Sequence, residues 1–259
     1  MKVSIVMITK NPNISWFKNA VSSVLAQSHV DIEIINVDAS TNVPPLDVED
    51  ERFIRIRQTS KGLWPAFEDG FARCSGEIIG VLNSDDFLYS ENVIEEILGD
   101  FVKNGVDYVY GNSVRVNQDG EFLYRFVPLR LGWYRLHKFF GLTVSHHSFY
   151  FRRSVLESCA FIDSRFKNHF DVSFILDVMH SFKGRYISID VASFRLHGEN
   201  ASASSFSSMS RFYQALNGVY CWFYIVPKLL WLAIRPAYAV YLVRRSISRL
   251  FSRQGGGTT

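Results

Sequence analysis

The chain has 259 residues, 47% of them apolar and 20% charged, which excludes a staple-dependent miniprotein and a low-complexity disordered chain. Its 28 basic and 25 acidic groups leave a net charge of only +3, but the balance is uneven: residues 200–259 carry seven basic groups and no acidic one, which leaves −4 on residues 1–199. Three scattered cysteines, Cys74, Cys159 and Cys221, give neither a disulfide framework nor a zinc spacing, and point to a reducing compartment, most simply the cytoplasm.

Residues 3–8 are an apolar run stopped by Asn11-Pro12-Asn13, too short for the core and flanks of a signal peptide and better read as a buried first strand. A second such run covers 32–37, and between them Trp16, Phe17, Ala20, Val24 and Leu25 recur at helical spacing. Strand, helix, strand is the unit of a parallel sheet. A third strand at 52–57, a helix over 63–73 and a fourth strand at 77–82 repeat the alternation, predicting a doubly wound α/β sheet. Ligands of such sheets sit beyond the carboxyl ends of the strands, here residues 9–11, 38–41 and 83–86.

Asp85 and Asp86 are adjacent carboxylates behind an apolar run, a costly pair unless something neutralises it. Mg²⁺ or Mn²⁺ held by carboxylates and substrate phosphates would do so; the competing reading is a capping loop, with Ser90 capping a helix over 91–103. Farther on come a strand at 108–111, a hairpin at Asn117-Gln118-Asp119-Gly120 between Val114 and Phe122, and strands near 144–151. Phe170, Phe174, Ile175, Val178 and Phe182 predict a helix with Asp171 in its first turn, followed by two short strands near 186–189 and 193–196 and a Ser-rich linker over 202–210.

Residues 219–243 are apolar but broken by Pro227, Lys228, Arg235 and Pro236, so they predict two amphipathic helices rather than a span. With the arginines that follow, these helices suit an anionic membrane surface, or else cover the core or a dimer interface. The basic residues sit among Trp, Tyr and Leu and not on a polar face, which argues against nucleic acid as a partner.

Taken in order, several segments resemble the family-2 inverting glycosyltransferases, which have the GT-A nucleotide-sugar fold. They are Ser4 to Asn11, Ala20 to Gln27, Ile34 to Thr41, Lys61 to Phe67 with Gly70, Gly76 to Asp86, His146 to Arg153, and Phe194 to His197. The resemblance implies a doubly wound, Rossmann-like mixed sheet with helices on both faces, plus C-terminal amphipathic helices. It also implies a transferase domain over 1–205, divided into a donor half (1–105) and an acceptor half (106–205), and a basic helical segment over 206–259.

The same resemblance implies a sugar moved with inversion from a nucleotide-sugar, with UDP as the expected carrier, to a lipid-linked or polysaccharide acceptor in surface-glycan synthesis. Such an enzyme would be cytoplasmic and peripheral at the inner face of the cell membrane. Asp86 would hold the metal, with Asp85 reaching ribose or water, and His197 would complete the metal shell, touch the diphosphate, or be a surface-loop histidine. Asp38 would accept from base or ribose or form an Asx turn with Ser40 and Thr41; Thr9, Asn11 and Lys61 would line the substrate. His146 would contact the acceptor or line the core, and Trp64 would stack on sugar or fill the core. Asp171 would be the general base, with His169 the runner-up.

Departures from the family pattern are a turn one residue shorter after the second strand, Ser60 before the Lys-Gly pair, Glu68 in the next helix, and Phe170 before Asp171. Two rival functions remain. A nucleotidyltransferase would want a Gly-rich basic loop where Thr9-Lys10-Asn11-Pro12 stands, and a non-catalytic nucleotide-sugar-binding protein would leave Asp171 idle.

Overall fold

The computed structural model of the chain describes residues 1–41, 48–128, 144–158 and 170–197. β1 (Val3–Thr9) and β2 (Ile32–Asp38) pair in parallel and are buried on both faces, which is why they read as near-continuous apolar runs. Between them α1 (Ile14–Leu25) is capped by Asn13, whose Oδ1 accepts from the Ser15 and Trp16 amides at 3.0 and 3.2 Å. β3 (Phe53–Arg57), α2 (Leu63–Arg73) and β4 (Ile78–Val81) complete a parallel half ordered β3-β2-β1-β4. α2 starts at Gly62, whose φ of 126° is left-handed and closed to most other residues.

The rest is mixed. After β5 (Phe87–Leu88), α3 (Val93–Asn104), β6 (Tyr108–Val116) and β7 (Phe122–Phe126), a 3₁₀ turn (His146–Ser148) leads into β8 (Phe149–Arg152), α4 (Arg153–Ser158), α5 (Phe170–Ser181) and β9 (Gly184–Arg195). β8 enters the sheet between β4 and β6, antiparallel to both; β9 runs parallel to β6, and β5 closes the far edge against β9. The seam is tight: a Cβ on Gly80 would fall inside the ring of Tyr150, its partner across the β4–β8 pair.

Both faces of the sheet are covered, as expected. One layer packs Val3, Ile5 and Met7 against α1 and α3; the other packs Val6, Ile35 and Val37 against α2 and α5 through Phe67, Phe71, Phe174 and Val178. β1 sends alternate residues into the two layers, the period-2 geometry of a strand. Cys74 lies buried beneath α2, where loss of hydration pushes its thiol up to about 12 and leaves it unreactive.

Three local expectations need correction. The N-cap of α3 is Asn92, which makes no side-chain capping bond, not Ser90, whose carbonyl instead accepts from Gln27 Nε2 at 2.7 Å. The strand expected over 144–151 begins only at Phe149, because the backbone first turns from Ser145 to Ser148. The two short strands expected after α5 are one strand of twelve residues, whose register against β6 slips between Tyr110 and Ser113. That irregularity breaks the alternation and makes one strand read as two.

The expectations for Cys159, His169, Cys221, the Ser-rich linker and the basic C-terminal segment fall outside the described residues. Among the described residues no helix is long and apolar enough to cross a membrane.

At the amino end of the sheet, opposite the carboxyl ends, Glu33 is nearly buried between β1 and the start of β4. It meets Lys2 Nζ at 2.7 Å, Ser4 Oγ at 2.6 Å and the Ser75 amide at 2.7 Å. Burial opposes its charge, but these donors prevail and hold its carboxyl at about 2, down from 4.5. Its contribution is therefore complete above about pH 4.5 and fades as pH falls toward 2. Glu33→Gln should lose on the order of 2–3 kcal/mol at pH 7, and the gap in Tm from the parent should close as the pH is lowered through that window in a thermal-melt series.

Candidate active site

The β1–β2 register places Thr9 beside Asp38 at the carboxyl end of the parallel half, and the loop 83–86 follows β4 at the same end. Asn11 adopts a left-handed φ of 48°, tolerated by Asn, and its amide donates to Ser40 Oγ at 2.8 Å. This bond ties the turn after β1 to the turn after β2. Thr9 does not face a ligand as expected: it is fully buried, its hydroxyl donating to Val37 O at 3.5 Å and accepting from Asn36 Nδ2 at 3.2 Å.

Asp38 is closed as well. The Ser40 amide donates to its Oδ1 at 2.8 Å, Arg55 takes Oδ2, and Arg57 lies 3.7 Å from the same oxygen. Burial works against the charge, but Ser40 and Arg55 more than offset it and hold the carboxyl below its ordinary value. With 3% of its side chain exposed, Asp38 forms an Asx turn with Ser40. Lys61 is exposed on the turn into α2, and no hydrogen bond or ion pair joins it to the other expected residues among those described.

The two carboxylates of the pair sit in different surroundings. Asp86 has no exposed surface; its Oδ1 accepts from the Arg195 amide at 3.0 Å and its Oδ2 from Asn83 Nδ2 at 2.8 Å. Burial, and after it the Asp85 charge, push its carboxyl well above the usual range. Asp85 is 28% exposed, and its Oδ2 lies 2.8 Å from Nε2 of His197, which packs on Trp16. Asp86 is thus the inward, hydrogen-bonded carboxylate of the pair and Asp85 the outward one. Each Asp86 oxygen already accepts one protein hydrogen bond, whereas Asp85 retains exposed surface.

Arg195 closes the arrangement. Its guanidinium donates to Asp85 O, Gln118 O and Asn19 Oδ1 at 3.0, 2.7 and 3.2 Å, fastening the end of β9 to the hairpin and to α1. Its neighbour in space, His147, is buried and neutral, since burial and then the charges of His146 and Arg115 hold its pKa far down. His147 Nε2 meets Ser113 Oγ at 2.6 Å, while Nδ1, 3.7 Å from Asp86 Oδ2, has no hydrogen-bond partner among the described residues.

Asp171, in the first turn of α5, comes to the same end of the sheet: its Oδ2 lies 3.4 Å from His146 Nδ1, and His146 Nε2 lies 3.1 Å from Asn83 Oδ1. The two halves therefore meet through side chains. Asn83 and Arg195 lay within the motifs read from the sequence but carried no expected role.

Among the described residues no three His, Cys, Asp or Glu side chains form a cage for a cation. Asp85 and His197 supply two donors side by side, which fits a hard divalent cation that completes its shell from phosphate oxygens and water. A third carboxylate, Asp171, stands at the same end, a group able to take up a proton.

A parallel half ordered β3-β2-β1-β4 with a carboxylate loop after β4, continued by antiparallel β8 and followed by a helix carrying Asp171, defines a GT-A glycosyltransferase fold. Residues 4–159 match the model of glycosyl transferase family 2, and the chain belongs to that family. Over 132 residues it is 30% identical to an uncharacterised glycosyltransferase of Nostoc sp. strain PCC 7120, covering 46% of this chain and 40% of that protein. A Rickettsia felis uncharacterised glycosyltransferase is 28% identical over 127 residues, 47% of this chain and 21% of the relative. The chain thus spans less than half the length of these curated relatives.

Among solved structures, S. aureus TarS 1-349 in complex with UDP superposes with a TM-score of 0.61 at 15% identity, covering 83% of this chain and 65% of that one. The same protein in complex with UDP-GlcNAc gives 0.62 at 14%, covering 83% and 66%.

The division of the pair is measurable without any substrate. Asp86→Ala should lower stability by about 1–3 kcal/mol, because the Arg195 amide and Asn83 lose a buried acceptor, whereas Asp85→Ala should leave Tm nearly unchanged. Denaturant melts of both variants check this.

Proposed function

We propose that the chain transfers one sugar, with inversion, from a UDP-sugar to a hydroxyl of a lipid-linked or polysaccharide acceptor in surface-glycan synthesis. The observation that carries this reading is the convergence of Asp85–His197 and Asp171 at one end of the sheet, from opposite halves of the chain. TarS, bound to UDP and to UDP-GlcNAc on the same fold, supports the choice of donor.

In this reading Asp171 accepts the proton of the acceptor hydroxyl as its oxygen bonds to the anomeric carbon, and the bond from that carbon to the diphosphate breaks on the opposite face. Asp85 and His197 would hold Mg²⁺ or Mn²⁺, which supplies neutralisation of the charge growing on the departing diphosphate. Asp86 and Arg195 keep Asp85 pointed at that position. The seven-fold basic, acid-free segment after Glu199 supports a cytoplasmic protein seated on the inner face of an anionic membrane, near a lipid-linked acceptor.

The test is a panel of nucleotide sugars followed for release of the nucleotide, with calorimetry for binding. UDP-sugar turnover should need a divalent cation, stop in excess chelator, and fall by about 10²–10⁴ in Asp171→Asn while UDP affinity is kept. Full turnover in chelator would overturn the metal role. Binding of a nucleotide sugar without turnover, in the presence of both metals and a glycan acceptor, would favour a binding protein. Flotation with anionic liposomes, weakening as salt rises, is the expected result for the membrane seat.

A further inference from the structure

We propose that His146 is a positioning residue that holds and aims the Asp171 carboxylate through Nδ1, and that Asn83 sets the ring for this task from the donor-side loop. The inference rests on the reading of Asp171 as the base and extends it to what places that base.

The tautomer follows from the neighbours. Asn83 Nδ2 donates to Asp86 Oδ2 at 2.8 Å, so the amide end facing the ring is the acceptor Oδ1, 3.1 Å from His146 Nε2. An acceptor there puts a proton on Nε2. Across the ring, Nδ1 faces the Asp171 carboxylate at 3.4 Å. With oxygens at both ends, the ring is satisfied on both sides only as an imidazolium, a state that burial opposes and that the charges of Asp171, Asp86 and Asp85 favour strongly enough to raise its pKa. The other titratable group packed on the ring is His147, edge-on at 5.3 Å between centroids and neutral.

A second observation shows why the pair matters. His146 and Asp171 are the two polar residues lining a cavity of about 20 Å³ whose other walls include Phe71, Phe149, Phe151 and Phe174. With 30% of its side chain exposed, Asp171 is wet on one side and walled by aromatic rings on the other, and on the walled side a cation beside it is felt more strongly than in water. At 3.4 Å the contact is longer than a closed charge-assisted hydrogen bond of about 2.8 Å. The link continues through Asn83 to Asp86, the anchor of the loop that presents Asp85. Base and donor loop are thereby placed by one chain of side chains.

The experiment uses the full chain with His146→Ala, His146→Asn, Asp171→Asn and the double variant, with UDP affinity by calorimetry and UDP-sugar hydrolysis for kcat. UDP should bind all four within about threefold, which also reports folding. His146→Ala should lose about 10- to 100-fold in kcat, the range expected when an outer partner of a functional group is removed. His146→Asn, whose Nδ2–H can stand where Nδ1–H stood, should recover part of that loss. The acid limb of the kcat–pH profile should move to higher pH in His146→Ala, since Asp171 loses the cation that favours its charged form. The double variant should be no slower than Asp171→Asn alone.

Unchanged kcat in His146→Ala, its loss of UDP binding, or a further drop in the double variant would each overturn the positioning role. Near-normal turnover of Asp171→Asn would instead remove the base reading itself, so the two failures are told apart.

Discussion

A carboxylate with no exposed surface at the end of a parallel strand has to be met by donors from elsewhere in the chain, and in this protein that demand shapes the whole working end of the sheet. Asp86 takes one donor from Asn83, three residues away, and one from the backbone of Arg195, at the far end of the last described strand. An unmet buried charge would cost more than most single contacts return, so β9 cannot drift from the β4 loop without a large loss. The last described strand is thereby set in register with the loop after β4, and Asp85, the residue before Asp86, is left no course but outward.

The parallel half was legible because its signals are short-range. Apolar runs of strand length, a helical stripe between them and Asn-Pro-Asn punctuation are read within windows of ten or so residues, and their order determines a right-handed parallel sheet. The antiparallel half was less so. β9 slips register against β6 near Tyr110, and a strand whose alternation is interrupted cannot be told from two shorter ones without its partner in view.

At the site, the sequence singled out the pair after β4 without showing how its members differ. Which of the two neighbours faces inward depends on Arg195, more than a hundred residues downstream. Thr9 and Asp38 show the same limit. Both end parallel strands where ligands gather, yet their side chains are occupied by Asn36, Ser40 and Arg55, partners contributed by the neighbouring strands and turn. Burial is a property of the assembled sheet, and a single sequence carries it only as a tendency.

The seam at Gly80 and Tyr150 bears on how such a molecule can vary. A bare backbone on one strand and an aromatic ring on the next fit together as a single joint, and the ring occupies the very volume any side chain at position 80 would need. Neither residue touches the carboxylates, yet the joint decides how closely the two halves approach. Recombination that grafts a new antiparallel half onto this parallel half must therefore carry the aromatic ring with it or find a replacement of the same thickness. Diversification of the antiparallel side is free in its loops and constrained at this hinge pin, where the glycine and the tyrosine have to change together.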